Sequence, residues 1–240
     1  MRILLIGHGK MGQAIEQAAL KKGHTISGIV SIESDARLQD FNSGNTDVAI
    51  EFTQPEAAVR NLSYCLENGI PVVCGTTGWN NHLPEVKALC EQKNGSLFYA
   101  SNFSIGVNLF FQLNKYLAAA LKEFSQYNVS IDETHHTQKL DRPSGTAITL
   151  AEQVLRQNLS KVRWVNDPSA DVRDLVISSY REEHVVGTHV VHYDSEIDSI
   201  EIKHTAHSRN GFVEGAILAA EWLVGKKGVF GMEDLLGFSR

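Results

Sequence analysis

Arg2-Ile3-Leu4-Leu5-Ile6-Gly7-His8-Gly9-Lys10-Met11-Gly12 stands at the head of the chain and decides its fold. Ile3 to Ile6 form a short unbroken apolar run, the pattern of a strand buried on both faces. The run ends in Gly7-x-Gly9-x-x-Gly12. From Met11 to about Lys22, Ile15, Ala18, Ala19 and Leu20 recur as on a helix, and Gly23 fits its C-terminal stop. Thr25 to Val30 is a second strand. Strand, glycine turn, helix and strand within ~30 residues is the dinucleotide-binding fingerprint, whereas the glycine pattern alone is weak. The first glycine makes the tight turn, the second lets backbone approach a pyrophosphate, and the third lets helix and strand pack closely. Gly7, His8, Gly9, Lys10, Met11 and Gly12 are therefore candidate cofactor-binding residues. The plainer reading is any parallel β-α-β unit with a glycine turn.

The residue closing the second strand reports on the cofactor. An acid there binds the 2′-hydroxyl of an NAD ribose. This chain has Ser31 at that place, with Glu33 the nearest acid. Ser31 leaves room for a 2′-phosphate, with Lys10 as its expected neighbour. The expectation is NADPH, or use of both NADPH and NADH.

The pattern continues outward. Asp35 to Thr46 reads as a loop, and Val48 to Phe52 as a third strand. Thr53 and Pro55 open a helix that Gly69 closes. Val72 to Cys74 is a fourth strand running into Gly75-Thr76-Thr77-Gly78. A helix over His82 to Gln92 and a strand over Ser96 to Tyr99 follow. Strands alternating with helices predict an α/β fold of Rossmann type, a doubly wound parallel sheet. Ligands of such sheets bind at the C-terminal edge. That edge carries Gly75, Thr76 and Thr77, and then Ala100, Ser101, Asn102 and Phe103. The second of these loops is the expected hinge to another domain.

The second domain reads as α+β with an open mixed sheet. Val107 to Phe124 is a long helix. Tyr127 to Asp132 alternates like a half-buried strand, as do Leu175 to Tyr180, Gly187 to Tyr193 and Ser199 to Thr205. Leu159 to Asp174 is polar and irregular, and Ala147 to Leu155 is an amphipathic helix. One helix layer leaves a sheet face uncovered, which favours burial in an oligomer. Phe212 to Leu223 is the last long helix, and Phe230 to Leu236 a closing helical turn. The tail is expected to return to the first domain. The boundaries read as 1–105 with 209–240 for dinucleotide binding, and 106–208 for substrate binding and oligomerisation.

Between strand and helix lies Glu133-Thr134-His135-His136-Thr137-Gln138-Lys139-Leu140-Asp141-Arg142-Pro143-Ser144-Gly145-Thr146-Ala147. Two histidines and a lysine here combine proton-transfer groups with positive charge. The helix start after them favours a bound anion. Together they point to acid–base chemistry on an anionic small molecule, against the plainer reading of a solvated polar loop. No metal is expected. Adjacent histidines on a strand point to opposite faces, and His184, His189 and His192 read as ordinary sheet residues.

Composition narrows the classes. A net charge of −6 argues against nucleic-acid binding by bulk attraction. No apolar run reaches the ~18 residues of a membrane span. Cys65, Cys74 and Cys90 are an odd number without Cys-x-x-Cys spacing, so neither a disulfide framework nor a zinc site is expected, and a cytoplasmic location is the default.

Four motifs together carry a family resemblance: Gly7-x-Gly9-x-x-Gly12, Gly75-Thr76-Thr77-Gly78, Ala100-Ser101-Asn102-Phe103-Ser104-x-Gly106-Val107-Asn108, and His135-His136-x-x-Lys139-x-Asp141-x-Pro143-Ser144-Gly145-Thr146-Ala147. The chain resembles the dihydrodipicolinate (4-hydroxy-tetrahydrodipicolinate) reductases over essentially its whole length, to His204-Thr205-Ala206-x-Ser208-Arg209 and Phe230 to Leu235. The resemblance implies reduction of a cyclic, dianionic dicarboxylate by NADPH or NADH in diaminopimelate and lysine biosynthesis, by a homotetramer. It implies His135 and Lys139 as the acid–base residues, and His136, Lys139, Ser144, Gly145 and Thr146 as substrate ligands. It places Gly75, Thr76 and Thr77, with Ala100 to Phe103, beside the nicotinamide. Ser31 departs from the family's acid after the second strand. Two other readings stand beside it: another two-domain NAD(P) oxidoreductase, and a non-catalytic NAD(P) sensor of the same fold.

Overall fold

The computed structural model describes residues 1–157, 160–166 and 168–238. In chain order the elements are β1 (Arg2–Ile6), α1 (Lys10–Lys21), β2 (Thr25–Val30), β3 (Val48–Glu51), α2 (Pro55–Glu67), β4 (Val72–Cys74), α3 (Leu83–Gln92), β5 (Ser96–Tyr99), α4 (Ile105–Leu121), β6 (Asn128–His135), α5 (Gly145–Leu155), β7 (Arg163–Val165), β8 (Asp174–Arg181), β9 (Gly187–Asp194), β10 (Ser199–Ala206), α6 (Asn210–Leu223), β11 (Gly228–Phe230) and α7 (Met232–Leu235). They divide into two compact units, Met1–Ile105 with Asn210–Arg240, and Gly106–Arg209.

The first unit is a six-stranded sheet ordered β11-β5-β4-β3-β1-β2, with every pairing parallel. Its central strands are apolar on both faces because both are covered. Ile3, Leu5, Ile50 and Phe98 pack with α1 and α6, while Leu4, Ile6, Ala49 and Leu97 pack with α2 and α3. The α1 turn needs its glycines. Gly7 sits at φ +98°, where a Cβ would meet the Phe52 carbonyl oxygen at 2.0 Å, and a Cβ on Gly12 would meet the Gly7 oxygen at 2.2 Å.

The chain tail joins this sheet as a strand. Phe230, read from sequence as the start of a helical turn, ends β11 and pairs with Phe98. Only three residues carry that strand, and its partner lies ~130 positions earlier, so no local periodicity announces it. At α2 the cap position falls to Gln54 rather than Thr53. The Thr53 hydroxyl is drawn instead to the buried Glu51 carboxylate.

The second unit is a five-stranded mixed sheet ordered β10-β9-β6-β8-β7. β9 is antiparallel to β10 and β6, while β8 is parallel to β6 and β7. Its core joins Phe110 and Ala118 of α4, and Leu150 and Val154 of α5, to Val129, Ile131, Leu175, Ile177, Val191 and Tyr193. Asn114 secures the two helices to each other, donating to the Leu150 carbonyl at 3.1 Å and to Gln153 Oε1 at 2.9 Å. The stretch read as irregular from Leu159 to Asp174 contains the edge strand β7. Residues 159 and 167 of that stretch lie outside the described residues. His189 and His192 fall on β9, while His184 occupies a turn at φ +64°.

β6 runs three residues past the expected Asp132. Its buried positions alternate as Val129, Ile131, Glu133 and His135. One strand face therefore begins apolar and ends as an acid and an imidazole.

Candidate active site

In the first unit, Gly9 to Gly12 of the α1 turn line a cavity with Lys10, Phe52, Thr53, Gly75, Thr76 and Thr77. Its volume is about 510 Å³. A second cavity of about 880 Å³ runs along Gly7, His8 and Gly9 to Ser31, Arg37 and Arg60. Nothing lies within 4 Å of where a Gly9 Cβ would stand, so the backbone is open to a ligand at the N-cap of α1. A glycine turn with room on either side fits a dinucleotide.

The expected residues separate at this point. Gly7, His8, Gly9 and Ser31 line the larger cavity, and Gly9, Lys10, Met11, Gly12, Gly75, Thr76 and Thr77 the smaller. Ala100, Ser101, Asn102 and Phe103 line neither. Phe103 is 2% exposed, stacked on Phe98 at 5.9 Å between ring centroids, so its side chain belongs to the core. The cations of the Ser31 cavity are Arg37 and Arg60, and the expected Lys10 lines the other cavity instead. Neither arginine enters an ion pair among the described residues. Arg37 escaped notice because it lies in an irregular loop, and Arg60 because it looks like any solvated helix residue.

Loop order beneath the smaller cavity comes from Glu51, fully buried at the end of β3. It accepts from the Thr53 hydroxyl and from Cys74 Sγ at 3.1 Å. Thr53 N in turn donates to Thr76 Oγ1 at 2.8 Å. Burial, and then the nearby Glu51 charge, push the Cys74 thiol far up, which makes it a packing residue rather than a nucleophile.

The second unit gathers the other expected residues. Strand register puts Glu133 opposite His189 of β9 and Ser179 of β8, and His135 opposite Arg181. Glu133 is fully buried, His135 is 7% exposed and His189 5%. His135 Nδ1 lies 3.3 Å from Glu133 Oε2. That is a close approach rather than an aligned hydrogen bond, for Nδ1 has no hydrogen-bond partner. A Cβ on Gly187 would stand 3.1 Å from His135 Nε2, so the glycine makes space for the ring. Lys139 Nζ meets Asp141 Oδ1 at 2.9 Å, and Lys139 N donates to the His136 carbonyl.

Ser144 caps α5, its Oγ accepting from Ala147 N at 3.2 Å and lying 3.1 Å from His189 Nε2. At 2% exposed, that hydroxyl is committed to protein partners, whereas Gly145 is exposed with open space about it.

Sequence reading passed over Glu133 and Arg181. Burial alone would raise the Glu133 carboxyl. Contacts with His135, Ser144 and Ser179 outweigh it and hold the group well below the usual carboxylate range. Arg181 pairs with Glu133 Oε1 at 3.3 Å. The period-2 pattern from Val129 to His135 is the signal that places Glu133 and His135 on one face. Glu133, His135 and His189 bring ligand atoms within 4.8 Å of one another. The Arg181 guanidinium already supplies the positive charge that a metal ion would bring to that carboxylate. Burial, with the neighbouring His135 adding to it, pushes His189 down to about 3, so it stays neutral.

A glycine turn opening a parallel sheet onto dinucleotide-sized cavities, with a unit carrying imidazoles and an ammonium, defines an NAD(P)H-dependent oxidoreductase. Models of the dihydrodipicolinate reductase N-terminus and C-terminus match residues 1–103 and 106–236. The chain is 48% identical over 236 residues to a 4-hydroxy-tetrahydrodipicolinate reductase of Christiangramia forsetii, covering 98% of each chain. One from Methanoregula boonei is 35% identical, with 82% of this chain and 78% of the relative covered. A dipicolinate-bound dihydrodipicolinate reductase from Paenisporosarcina sp. TG-14 shares the fold at TM-score 0.82 and 23% identity, over 98% of both chains. The chain belongs to the dihydrodipicolinate reductase family.

Proposed function

We propose that the chain reduces 4-hydroxy-tetrahydrodipicolinate to tetrahydrodipicolinate, with NADPH preferred over NADH, and that His135 and Lys139 are its acid–base residues. The observation that carries the reading is the convergence, at one end of β6, of His135, the Lys139 loop and the capped start of α5. A nicotinamide cofactor, when bound, would supply a hydride. Hydride entering the unsaturated ring leaves an electron pair there, which a nearby cation stabilises until a proton follows. Lys139, 23% exposed at its side chain, provides both charge and proton. His135 is the second proton-transfer group.

His136 and the N–H groups of Gly145 and Thr146 at the start of α5 hold the ring carboxylates. Ser144 serves that clamp by capping the helix with its hydroxyl rather than by touching the ring itself. The cofactor preference rests on Ser31, Arg37 and Arg60 around one cavity, two guanidinium groups suited to a 2′-phosphate and no acid closing β2.

We place the protein in the cytoplasm as a homotetramer. Its three cysteines are free and buried, as a reducing compartment allows, and no helix among the described residues is long and apolar enough to cross a membrane. The sheet face away from α4 and α5 carries Val176, Tyr180 and Val190, with Tyr180 49% exposed. That face offers a surface for burial between copies, and the proposed homotetramer comprises four chains of 26.5 kDa each. NADPH oxidation that depends on substrate generated in situ, together with a light-scattering mass, tests the reading. Oxidation that proceeds equally without the substrate refutes it, and a mass of one chain refutes the assembly.

A further inference from the structure

We propose that the buried Glu133–Arg181 ion pair is a positioning device, one hub that holds the three separate parts of the site in fixed relation. The inference rests on the reading of His135 and Lys139 as the acid–base residues.

The contacts divide by function. Glu133 Oε2 lies 3.3 Å from His135 Nδ1 and accepts from Ser144 N at 3.1 Å. Glu133 Oε1 takes both terminal nitrogens of Arg181 at 3.3 Å. Arg181 then donates from Nε to the Lys139 carbonyl at 3.2 Å and from Nη2 to the Asp141 carbonyl at 2.5 Å. His135, the cap of α5 and the backbone on either side of Leu140 are thus all tied to two side chains. Glu133 is fully buried, and the Arg181 side chain is 5% exposed. The Glu133 contacts therefore form largely away from competing water, while the Arg181–Asp141 contact lies in the exposed part of the loop.

Stability alone does not call for such a pair. Two buried charges give up their hydration, and an apolar pair of like volume is often as stable or more so. An apolar pair has no atoms to receive the Ser144 N–H or to hold the Lys139 and Asp141 carbonyls. It also lacks the charge that favours a proton on His135 Nδ1. That proton placement leaves Nε2, beneath Gly187, as the nitrogen free to exchange a proton with a ligand. Reacting groups displaced by ~1 Å lose about 100-fold in rate. The single strand β6 supplies Glu133 and His135 two residues apart, and β8 brings Arg181 opposite. The hub is thus built into the sheet register, while the loop it holds is irregular.

The test replaces both charges together, Glu133→Leu with Arg181→Leu, in the full chain. Expected are a cooperative melting transition, unchanged KM for the nicotinamide cofactor and kcat lower by about 100-fold. A folded double variant whose kcat stays within about threefold of wild type overturns the proposal. NMR of imidazole nitrogens in folded Glu133→Gln gives a second reading, independent of turnover: the proton population on His135 Nδ1 falls if Glu133 sets the tautomer. An unchanged tautomer in that variant also overturns it. Lys139→Ala and His135→Gln, assayed alongside, separate the two levels. Wild-type turnover in those variants removes the acid–base reading itself, whereas loss of turnover in them with none in the double variant removes only the hub.

Discussion

Lys139 Nζ lies 2.9 Å from Asp141 Oδ1, so the ammonium assigned to an anionic ring is already paired within its own loop. The pairing holds the Asp141 carboxyl below its usual range. A dicarboxylate must compete with Asp141 for that charge. A partly exposed pair of this kind contributes at most ~1 kcal/mol, or about fivefold in affinity. Asp141→Asn is therefore expected to lower the substrate KM by up to about fivefold and to leave the cofactor KM unchanged. A raised substrate KM in initial-rate measurements would show that Asp141 orients Lys139 rather than competing for it.

Gly187 against His135 sets a second expectation. A Cβ there stands 3.1 Å from Nε2 and 3.2 Å from Cδ2, so Gly187→Ala must push the imidazole aside. Overpacking of a buried site costs about 1–3 kcal/mol. The variant should melt lower and lose kcat by about tenfold or more, since an orientation error acts on the proton-transfer step. Wild-type kcat in a destabilised but folded variant would show that the ring position is not critical.

Arg37 and Arg60 carry the cofactor preference. Charge-assisted bonds to a phosphate contribute ~1.5–3 kcal/mol. Replacing both by alanine should raise the KM for NADPH by at least about tenfold and leave that for NADH nearly unchanged. Equal losses with both cofactors in paired assays would remove the 2′-phosphate assignment.

Acid should weaken the second unit through two groups acting in the same direction. His189 is held down to about 3 from an ordinary 6.5, so the unfolded chain gains a proton first as pH falls. Stability from its neutral form is complete above 6.5 and declines toward 3, by ~1.4 kcal/mol per pH unit for one group. Glu133 is also depressed, so its contribution is present above its ordinary 4.5 and is lost below that value. Melting temperatures should fall from pH 6.5 downward, and His189→Gln should flatten the stretch between 6.5 and 4.5. An unchanged slope in that variant would mean that His189 is protonated in the folded protein.

Sequence reading reached some of this and not the rest, for physical reasons. The β1–α1–β2 unit was legible because an apolar run, three glycines and a helical stripe are all local. The mixed sheet was legible as a set of alternating strands, but its order was not, because β6 pairs with β8 and β9 at separations of ~50 residues. That pairing delivers Arg181, Gly187 and His189 to Glu133 and His135, so the hub was invisible while its two histidines and lysine stood out. Ser144 was read as a ligand from its place in the motif. Folding turns its hydroxyl inward as a helix cap. His189 was likewise read as an ordinary sheet residue, and the register sets it beside Glu133 and His135.

The most direct test is the initial rate of NADPH oxidation with 4-hydroxy-tetrahydrodipicolinate generated in situ, for the wild type and for Lys139→Ala. The account predicts substrate-dependent oxidation by the wild type, and a kcat lower by about 100-fold or more in a variant that still melts cooperatively and binds NADPH. Substrate-dependent turnover by Lys139→Ala at the wild-type rate would contradict it.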